Sequence, residues 1–474
     1  MLKFFNFLSR KVEEFDKSTG DTVGLYTCGP TVYDFVHIGN WRTFVFEDVL
    51  KRALLFNGYK VKHIMNITNI DDKIIKRSRE QRIELREFTA KYESAFFADL
   101  TKLNILKADE YPRATEHITS MIRIIEVLLK KGLAYEKEGS VYFAIEKFAD
   151  YGKLSGTNIR GVKAGARVDV DEYDKDNPQD FALWKKESED AKTGGEAFDS
   201  PWGIGRPGWH IECSAMSMQY LGDPSTDSGR KLESFRTIDI HSGGVDLLFP
   251  HHENEIAQSE GATGKKFVNF WLEGEHLLVD GQKMAKRLGN IFTIGDIEKK
   301  DFDPLTLRYL FLTAHWRSKL NFTWQSLESS HNALNNLRQE ISTWDDPKVG
   351  RLDSESLQTR MSCAEFEGNF REAVDNDLDM PRALAVMWKM VKSDYPTGAK
   401  HQSILVMDKV LGLGLDQIQK TELPKGAKEL IAQREQLRAE GNFRASDNIR
   451  EELATMGVDV EDTNEGPKWK VRRK

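Results

Sequence analysis

The strongest constraint on the fold is a stretch near the N-terminus where strand, helix and strand character follow one another. Residues 23–28 form an apolar run typical of a short strand, and Gly29-Pro30 marks a turn after it. Residues 41–56 predict a helix that ends at Asn57-Gly58, and residues 59–67 predict a second strand. Such a crossover is right-handed and leaves its two strands parallel. The sequence therefore predicts an α/β fold with a Rossmann-type parallel sheet.

The turn before this first helix is a candidate phosphate site, because free backbone N–H groups and the positive end of the helix dipole face outward there. His37-Ile-Gly-Asn40 ends the turn. His37 can reach phosphate oxygens, and Gly39 lets a ligand approach the backbone closely. Taken alone, the tetrapeptide also fits an ordinary surface histidine that precedes a helix.

A second turn between strand and helix follows later in the chain. Residues 236–241 predict a strand, Gly243-Gly244 a turn, and residues 251–260 a helix, which is typical of a nucleotide-binding core built from two halves. Asp246, just after the glycines, is either an adenosine contact or a helix N-cap. Residues 113–200 are turn-rich and charged, so they predict an insertion that splits this core.

Two lysines, Lys283 and Lys286, lie in a loop with glycines at both ends, within residues 280–290. They can neutralise charge that develops on a phosphoryl group during transfer. A solvated basic loop is the alternative. The separation from the His37 turn fits two halves of one site, which favours the phosphate interpretation. Beyond residue 326 the apolar residues recur at helical spacing and predict a C-terminal helical bundle.

Four side chains are candidate ligands of a metal ion. Cys28 ends the first strand, Cys213 precedes the second half of the core, and His251 and Glu255 are i, i+4 neighbours on one helical turn. Spacing leaves His252 open as an alternative to His251. A buried thiol and an isolated histidine also occur without any metal. Cys363 lies outside every motif and is interpreted as a packing residue.

Composition excludes several classes of protein. The net charge is −7, from 68 basic and 75 acidic residues, so the whole chain does not attract polyanions and any nucleic-acid surface must be local. Basic residues at 468–474 predict a solvated tail, with a phosphate-binding tail as the alternative. We find no signal peptide and no stretch apolar enough to span a membrane. Three scattered cysteines do not form a disulfide framework, so we expect a cytoplasmic protein.

Longer motifs narrow these possibilities. The two segments around His37 and Lys286 resemble the HIGH and KMSK signatures of class I aminoacyl-tRNA synthetases. Further motifs are similar to those of the cysteinyl-tRNA synthetase family and cover nearly the whole chain. They are CGPTVYD (28–34), NITNIDDK (66–73), PRATEH (112–117), DFALWK (180–185), GWHIECSAM (208–216), FPHHENE (249–255), DMPRAL (379–384) and DNIREEL (447–453).

The resemblance implies a division of the chain into five parts. They are the first half of the Rossmann catalytic core (1–112), a connective insertion (113–200), the second half of the core (201–270), a stem-contact region with the KMAK loop (271–325) and a helical anticodon-binding domain (326–474). It also implies a monomer that binds tRNA(Cys), cysteine and ATP with Mg²⁺.

The resemblance also assigns roles to single residues. It selects His251 over His252, so that one zinc ion per chain would be held by Cys28, Cys213, His251 and Glu255. It makes His37, Asn40, Lys283 and Lys286 catalytic, and it has ATP bound by His37, Gly39, Asn40, Asp246 and Lys286. Thr68 and Trp209 would line the cysteine pocket. Each of these two also fits an ordinary core position.

Three departures and three rival functions accompany the resemblance. Ala285 and Asn40 replace the usual serine and second histidine of the signatures, and residues 222–237 predict a surface loop longer than the family's connection. A mycothiol-pathway cysteine ligase shares the core and the zinc site but has no use for a C-terminal anticodon domain. A non-catalytic paralogue that binds nucleotide or RNA is disfavoured by the intact lysines. A zinc hydrolase lacks support because HHENE is not an HExxH arrangement.

Overall fold

A four-stranded parallel sheet carries the candidate site. The structure is a computed structural model that describes residues 1–16, 22–157, 179–222, 232–346, 354–420, 424–463 and 466–471. The first part of the chain contains strands β1 (Lys3–Asn6), β2 (Lys11–Glu14), β3 (Thr22–Thr27) and β4 (Lys60–Met65) and helices α1 (Ile38–Phe56), α2 (Asp72–Gln81) and α3 (Leu85–Lys102). The β3-α1-β4 unit is parallel, as the sequence predicts.

The next part of the chain forms a second, antiparallel sheet. Its elements are α4 (Ile118–Lys130), β5 (Ala134–Lys137), β6 (Ser140–Phe143), β7 (Phe181–Lys186), α5 (Glu189–Thr193) and β8 (Gly205–Pro207). The strands are ordered β5-β6-β7-β8. The turn-rich stretch 158–178 that suggested an insertion lies outside the described residues. Since β8 pairs with β7 beyond position 200, this sheet ends seven residues after the boundary expected for the insertion.

The parallel sheet is completed by the elements that follow. They are α6 (Trp209–Leu221), β9 (Ile238–Gly244), α7 (Glu253–Thr263) and β10 (Val268–Gly274). The strand order is β10-β9-β3-β4, and every neighbouring pair is parallel. The chain therefore leaves β3 toward one edge and β9 toward the other. Ligands bind at the carboxyl ends of strands where the order reverses in this way.

The last third of the chain is mainly helical. It contains β11 (Leu277–Val279), β12 (Gln282–Lys283), α8 (Ile294–Glu298), α9 (Pro304–Leu312), β13 (Leu320–Phe322), α10 (Trp324–Ser342), α11 (Ser354–Asp375), α12 (Met380–Val391), α13 (Thr397–Leu411), α14 (Ala427–Ala439), α15 (Phe443–Thr455), β14 (Val458–Thr463) and β15 (Gly466–Val471). No helix in the described ranges is both long enough and apolar enough to cross a membrane.

The C-terminus corrects one expectation. Residues 458–471, predicted as the end of a helical bundle with a solvated tail, form the antiparallel hairpin β14–β15. Val458 and Val460 are buried against Ile449 and Leu453 of α15, with Asp459 exposed between them. This alternation has the period of a strand, and it outweighs the local charge.

Helix α1 joins the sheet to the helical bundle through buried charges. Arg308 on α9 donates to Asp48 of α1 at 2.6 Å, and Arg52 donates to the same carboxylate oxygen at 2.7 Å. Arg308 also donates to the carbonyl of Leu411, at the end of α13, at 2.6 Å. The side chains of Arg308 and Asp48 are fully buried. A buried ion pair is costly to break because it leaves the remaining charge without a partner.

Candidate active site

The candidate site lies where β3 and β9 end side by side. Thr27 is in register with Ser242, and the N–H of Cys28 donates to the Ser242 carbonyl at 3.1 Å. Cys28 thus leaves the sheet at the point where the strand order reverses. The glycines that follow Ser242 end β9 at the same edge.

The structure brings together the four predicted metal ligands. One ligand atom from each of Cys28, Cys213, His251 and Glu255 lies within 4.8 Å of every other, and all four residues are buried. The two sulfur atoms are 4.0 Å apart, and His251 Nε2 is 3.1 Å from Glu255 Oε1. Two thiols, an imidazole and a carboxylate are a donor set that zinc commonly accepts.

Four different segments present these ligands, with Cys28 directly after the end of β3. Cys213 lies on α6, while His251 belongs to a short π-helical turn (Leu248–His252) that precedes α7 and its Glu255. His251 Nδ1 is 2.8 Å from His210 Nδ1, and its ring centroid is 4.3 Å from that of Trp209. These contacts fix the imidazole, so that Nε2 faces Glu255.

A second group of donors overlaps the first. His241 and His252 can join Cys28 and Glu255 in a set of four atoms that are equally close together. His252 Nε2 lies 3.4 Å from Cys28 Sγ, and His252 Nδ1 lies 2.7 Å from Glu273 Oε1. His241 Nε2 is 3.0 Å from Glu255 Oε2. Geometry therefore leaves open which histidine would bind a metal, as the sequence spacing did.

The electrostatics of the cluster favour the metal-binding form of Cys213 and Glu255 but not that of Cys28 and His251. Burial raises the pKa of the Cys28 thiol. Burial would lower the pKa of His251, but Cys213 and Glu255 raise it to about 10. The hydrogen bond with Cys28 lowers the pKa of the Cys213 thiol to about 6, although burial opposes the shift. Burial would raise the pKa of Glu255, but His241 and His251 hold it well below its usual value. Among the described residues Glu255 Oε1 has no hydrogen bond of good geometry. A buried, ionised carboxylate oxygen without a hydrogen bond is typical of a site that binds a cation.

The two predicted cysteine-pocket residues lie beside this cluster. Thr68 is buried and its hydroxyl donates to Glu212 Oε2 at 3.1 Å, next to Cys213 in the chain. Asn66 Nδ2 in turn donates to the Thr68 oxygen at 3.2 Å. Trp209 packs against His251 with the two ring planes 37° apart. Both side chains are thus held close to the cluster, and their contact with a substrate stays a prediction.

The two signature segments are in contact with each other. His37 is the N-cap of α1, and its Nδ1 accepts a hydrogen bond from the N–H of Asn40 at 3.2 Å. The N–H of Ile38 donates to the Phe292 carbonyl at 2.8 Å. A Cβ at Gly39 would stand 2.0 Å from the end of Met284, between the two signature lysines. The absence of a side chain at Gly39 therefore gives room to the KMAK loop.

The signature lysines have identifiable partners. Lys286 Nζ lies 2.8 Å from Asp34 Oδ2, and Arg77 Nη1 lies 2.9 Å from the same oxygen. Lys283 Nζ lies 3.4 Å from His276 Nε2, whose Nδ1 is 3.1 Å from Asp246 Oδ2. The two lysines thus face different turns. Lys286 faces the turn before α1, and Lys283 faces the turn after β9.

Asp246, Asn40 and both signature lysines are exposed, with 76% of the Asp246 side chain accessible. Asp246 is not the N-cap residue of the helical turn that follows it, since Leu247 is. The N-cap alternative is therefore wrong, while an adenosine contact stays a prediction. The open position of these side chains leaves them accessible to a nucleotide.

Several residues of the site have no role in the sequence analysis. They are Asp34, His210, His241, Glu273, His276 and Met284. The sequence does point to His241, because it is the last residue of the predicted strand 236–241 and lies two residues before Gly243-Gly244. Asp34 stands in the CGPTVYD motif three residues before His37. His210 and Met284 lie within the GWHIECSAM and KMAK motifs, whereas for Glu273 and His276 only the folded contacts indicate a place in the site.

Comparison with protein families identifies both ends of the chain. Residues 14–332 match the family of tRNA synthetases class I (C) catalytic domain. Residues 420–469 match the cysteinyl-tRNA ligase anticodon binding domain. The second match covers α14, α15 and most of the C-terminal hairpin.

Curated relatives and solved structures agree with these matches. The cysteine–tRNA ligase of Methanosarcina acetivorans is 43% identical over 483 residues, covering 99% of both chains. That of Chlamydia muridarum is 43% identical over 488 residues, again covering 99% of both.

Two solved structures are similar in fold. Methionyl-tRNA synthetase of Mycobacterium tuberculosis, solved with methionyl-adenylate, has a TM-score of 0.57 at 15% identity and covers 86% of this chain and 93% of its own. The LeuRS ternary complex from Agrobacterium radiobacter has a TM-score of 0.59 at 11% identity and covers 85% of both. These structures confirm the predicted Rossmann-type fold class.

The family resemblance found in the motifs is also confirmed. Because the catalytic match alone spans more than half of the sequence and the curated relatives cover nearly all of it, the chain belongs to the cysteine–tRNA ligase family of class I aminoacyl-tRNA synthetases.

Proposed function

We propose that the chain activates cysteine with ATP and transfers it to the 3′ end of tRNA(Cys), with the cysteine sulfur recognised by a zinc ion. The observation that carries this proposal is the buried group of Cys28, Cys213, His251 and Glu255, whose ligand atoms lie within 4.8 Å of one another. This group lies at the same sheet edge as the turn that leads to His37.

Zinc explains a preference for cysteine. When bound, it would supply a Lewis-acid site that takes a thiolate and is far poorer for the hydroxyl of serine at neutral pH. A pocket that separated the two substrates by size alone would gain only about 1–3 kcal/mol. Selection can then occur at binding, and no separate editing domain is required. Trp209 and Thr68 would form the wall of the cysteine pocket.

The activation step needs positioning and charge stabilisation and no protein nucleophile. A carboxylate oxygen of cysteine attacks the α-phosphorus of ATP, the bond to the bridging oxygen breaks, and pyrophosphate leaves with Mg²⁺. Lys283 and Lys286 would neutralise the charge that develops on the phosphates. His37, Gly39 and Asn40 at the start of α1 would hold the same phosphates, and Asp246 would contact adenosine.

The second step passes cysteine from the adenylate to the terminal ribose of the tRNA and releases AMP. The match of residues 420–469 to an anticodon-binding domain supports a tRNA substrate. It disfavours the mycothiol-pathway ligase, whose small amine substrate has no anticodon. A non-catalytic paralogue is disfavoured because Lys283, Lys286 and the ligand group are all present.

Several further assignments belong to the same proposal. They are the five-part domain division, action as a monomer, and location in the cytoplasm. All three cysteines are free, which is consistent with a reducing compartment. Because Ala285 stands in place of the usual serine, the KMAK loop would lack one hydroxyl but keep both lysines.

The test is cysteine-dependent exchange between ATP and pyrophosphate, run on protein whose zinc content has been assayed. We expect exchange with cysteine, little or none with serine, and aminoacylation of tRNA(Cys) in a separate assay. No exchange from folded, zinc-loaded protein would favour the non-catalytic paralogue. Exchange without aminoacylation, but with cysteine joined to a small amine, would favour the mycothiol-pathway ligase.

A further inference from the structure

An exposed aromatic residue stands at the entrance of the phosphate site. Phe35 is 46% exposed, although large hydrophobic side chains are usually buried. It follows Asp34, which contacts Lys286, and it precedes His37 by two residues. Its ring packs against the buried Tyr92 at 5.2 Å with the two planes 73° apart. The ring is therefore held in place while nearly half of it remains open to solvent.

Cations lie over this ring and over the neighbouring ring of Tyr33. Lys91 Nζ lies 5.6 Å from the Phe35 ring centroid, and Lys73 Nζ lies 5.7 Å from that of Tyr33. Neither lysine forms an ion pair with a carboxylate of the described ranges. Arg77 and Lys286 also lie over the Tyr33 ring, at 4.8 Å and 5.8 Å, and they share the single carboxylate of Asp34.

Two of the nearby acidic side chains have other cationic partners, while a third, Asp71, interacts with the charge of Lys73. Asp72 is paired with Lys185 and Arg206, and Glu93 is paired with Arg113. We call the surface formed by Tyr33, Phe35, Lys73, Arg77 and Lys91 the entrance patch. It combines rigid aromatic rings with an excess of cations, and it borders the place where the adenylate would form.

We propose that the entrance patch receives the unpaired 3′ end of the tRNA, with Phe35 stacking on a base and Lys73 and Lys91 facing backbone phosphates. Exposed aromatic rings flanked by Lys and Arg bind single-stranded nucleic acid in this way. This inference rests on the proposed function, because the tRNA must bring its terminal ribose to the adenylate.

A protein partner fits the entrance patch less well. Phe35 is its one strongly exposed apolar side chain among the described residues, and a stable protein interface buries about 800 Å² on each partner. The excess of cations instead matches a polyanion. Charge complementarity therefore favours a nucleic-acid strand over a protein as the partner of the entrance patch.

The test compares Phe35→Ala, Phe35→Trp and a matched control in the full-length chain. Leu55→Ala is the control, because Leu55 is 43% exposed and lies at the opposite end of α1. Exchange between ATP and pyrophosphate, which needs no tRNA, should stay within about twofold of wild type in every variant, since stacking acts only on the tRNA. For aminoacylation, kcat/KM with respect to tRNA should fall roughly five- to a hundredfold in Phe35→Ala, the range for loss of one base–aromatic stack.

Two further readouts separate stacking from a general structural role. Phe35→Trp should restore aminoacylation, because tryptophan keeps a flat aromatic face. A tRNA shortened by its unpaired 3′ nucleotides should inhibit wild type more weakly than intact tRNA does, and this difference should shrink in Phe35→Ala. If Phe35→Ala aminoacylates like wild type, the inference is wrong and the proposed function stands. If wild type itself does not aminoacylate tRNA, the proposed function fails first.

Discussion

The terminal methyl group of Met284 fills the space beside Gly39, 2.0 Å from where a Cβ of residue 39 would stand. Gly39 belongs to the first signature and Met284 to the second, and 245 positions of sequence separate them. The two signature segments therefore fit together in shape, and they also attract each other through the ion pair between Lys286 and Asp34. Any side chain at residue 39 must displace the end of Met284, which belongs to the loop that carries Lys283 and Lys286.

This contact leads to a first prediction. Gly39→Ala should lower the rate of pyrophosphate exchange at least about tenfold, because a misplaced catalytic loop costs transition-state stabilisation. The thermal midpoint should change little, since the displaced atom is the flexible end of a side chain. In a Met284→Ala background the same substitution should cost less.

Gly295→Ala is the control for this prediction, because its Cβ would meet nothing closer than 3.7 Å. If Gly39→Ala is equally harmful with and without Met284, the explanation by contact with Met284 is wrong. Close approach of ATP to the backbone at Gly39 would then be the better explanation.

A second prediction concerns the ion pair between Lys286 and Asp34. In the structure, Asp34 holds the lysine that the phosphates of ATP would need. Asp34→Asn should therefore lower the KM for ATP up to about fivefold, the range expected for an exposed ion pair, and the effect should weaken in high salt. Asp199→Asn, which breaks an exposed pair with Lys192, should leave the KM unchanged. A higher KM in Asp34→Asn would show that Asp34 itself helps to bind ATP.

A third prediction distinguishes the two histidines of the metal group. Elemental analysis should find about one zinc per chain in wild type and almost none in Cys213→Ala or His251→Ala. His252→Ala should still bind zinc, with affinity lowered about 10- to 100-fold, as expected for a residue that orients a ligand. Cys363→Ala is the control because Cys363 lies outside the group. Loss of zinc in His252→Ala and its retention in His251→Ala would move the site to the second set of donors.

A fourth prediction concerns pH and His63, which is buried beside Thr27 with its Nε2 2.9 Å from the threonine hydroxyl. Burial, with a smaller effect of Lys51, lowers the pKa of His63 to about 3. The unfolded chain therefore binds one more proton than the folded chain between pH 6.5 and pH 3, so stability falls as the pH falls through that window. Between pH 7 and pH 5 this single histidine accounts for about 2 kcal/mol.

The measurement is the loss of thermal midpoint between pH 7 and pH 5, compared within each variant. We expect a smaller loss in His63→Gln than in wild type, and no difference in the partly exposed control His401→Gln. An unchanged loss in His63→Gln would contradict the predicted titration of His63.

The sequence predicts the parallel core for identifiable reasons. The structure brings the four candidate ligands together, and the choice of His251 over His252 comes from the family resemblance. Cys28 follows an apolar run that ends at a Gly-Pro turn, and His251 and Glu255 are neighbours on one helical turn, so local rules apply to them. The sequence does not predict the C-terminal hairpin, because the charges around Trp469 favour a solvated tail. The alternation of apolar and polar residues at Val458, Asp459 and Val460 indicates a strand.

Other features could not be predicted because they arise only in the folded chain. Asp34 meets Lys286 across 252 positions of sequence, and His252, in the turn before α7, meets Glu273 on β10. No local pattern distinguishes His276 from any other histidine near a strand. Such contacts depend on how distant elements meet, and sequence spacing does not encode that directly.

The buried contact between Arg308 and Asp48 has a mechanical consequence. Asp48 lies on α1, whose first turn carries His37, Gly39 and Asn40, and Arg308 ties that helix to the end of α13 through the Leu411 carbonyl. Separating Arg308 from Asp48 would leave a buried charge with neither a partner nor water. The junction therefore holds α1, α9 and the end of α13 together through one buried network of charges and hydrogen bonds.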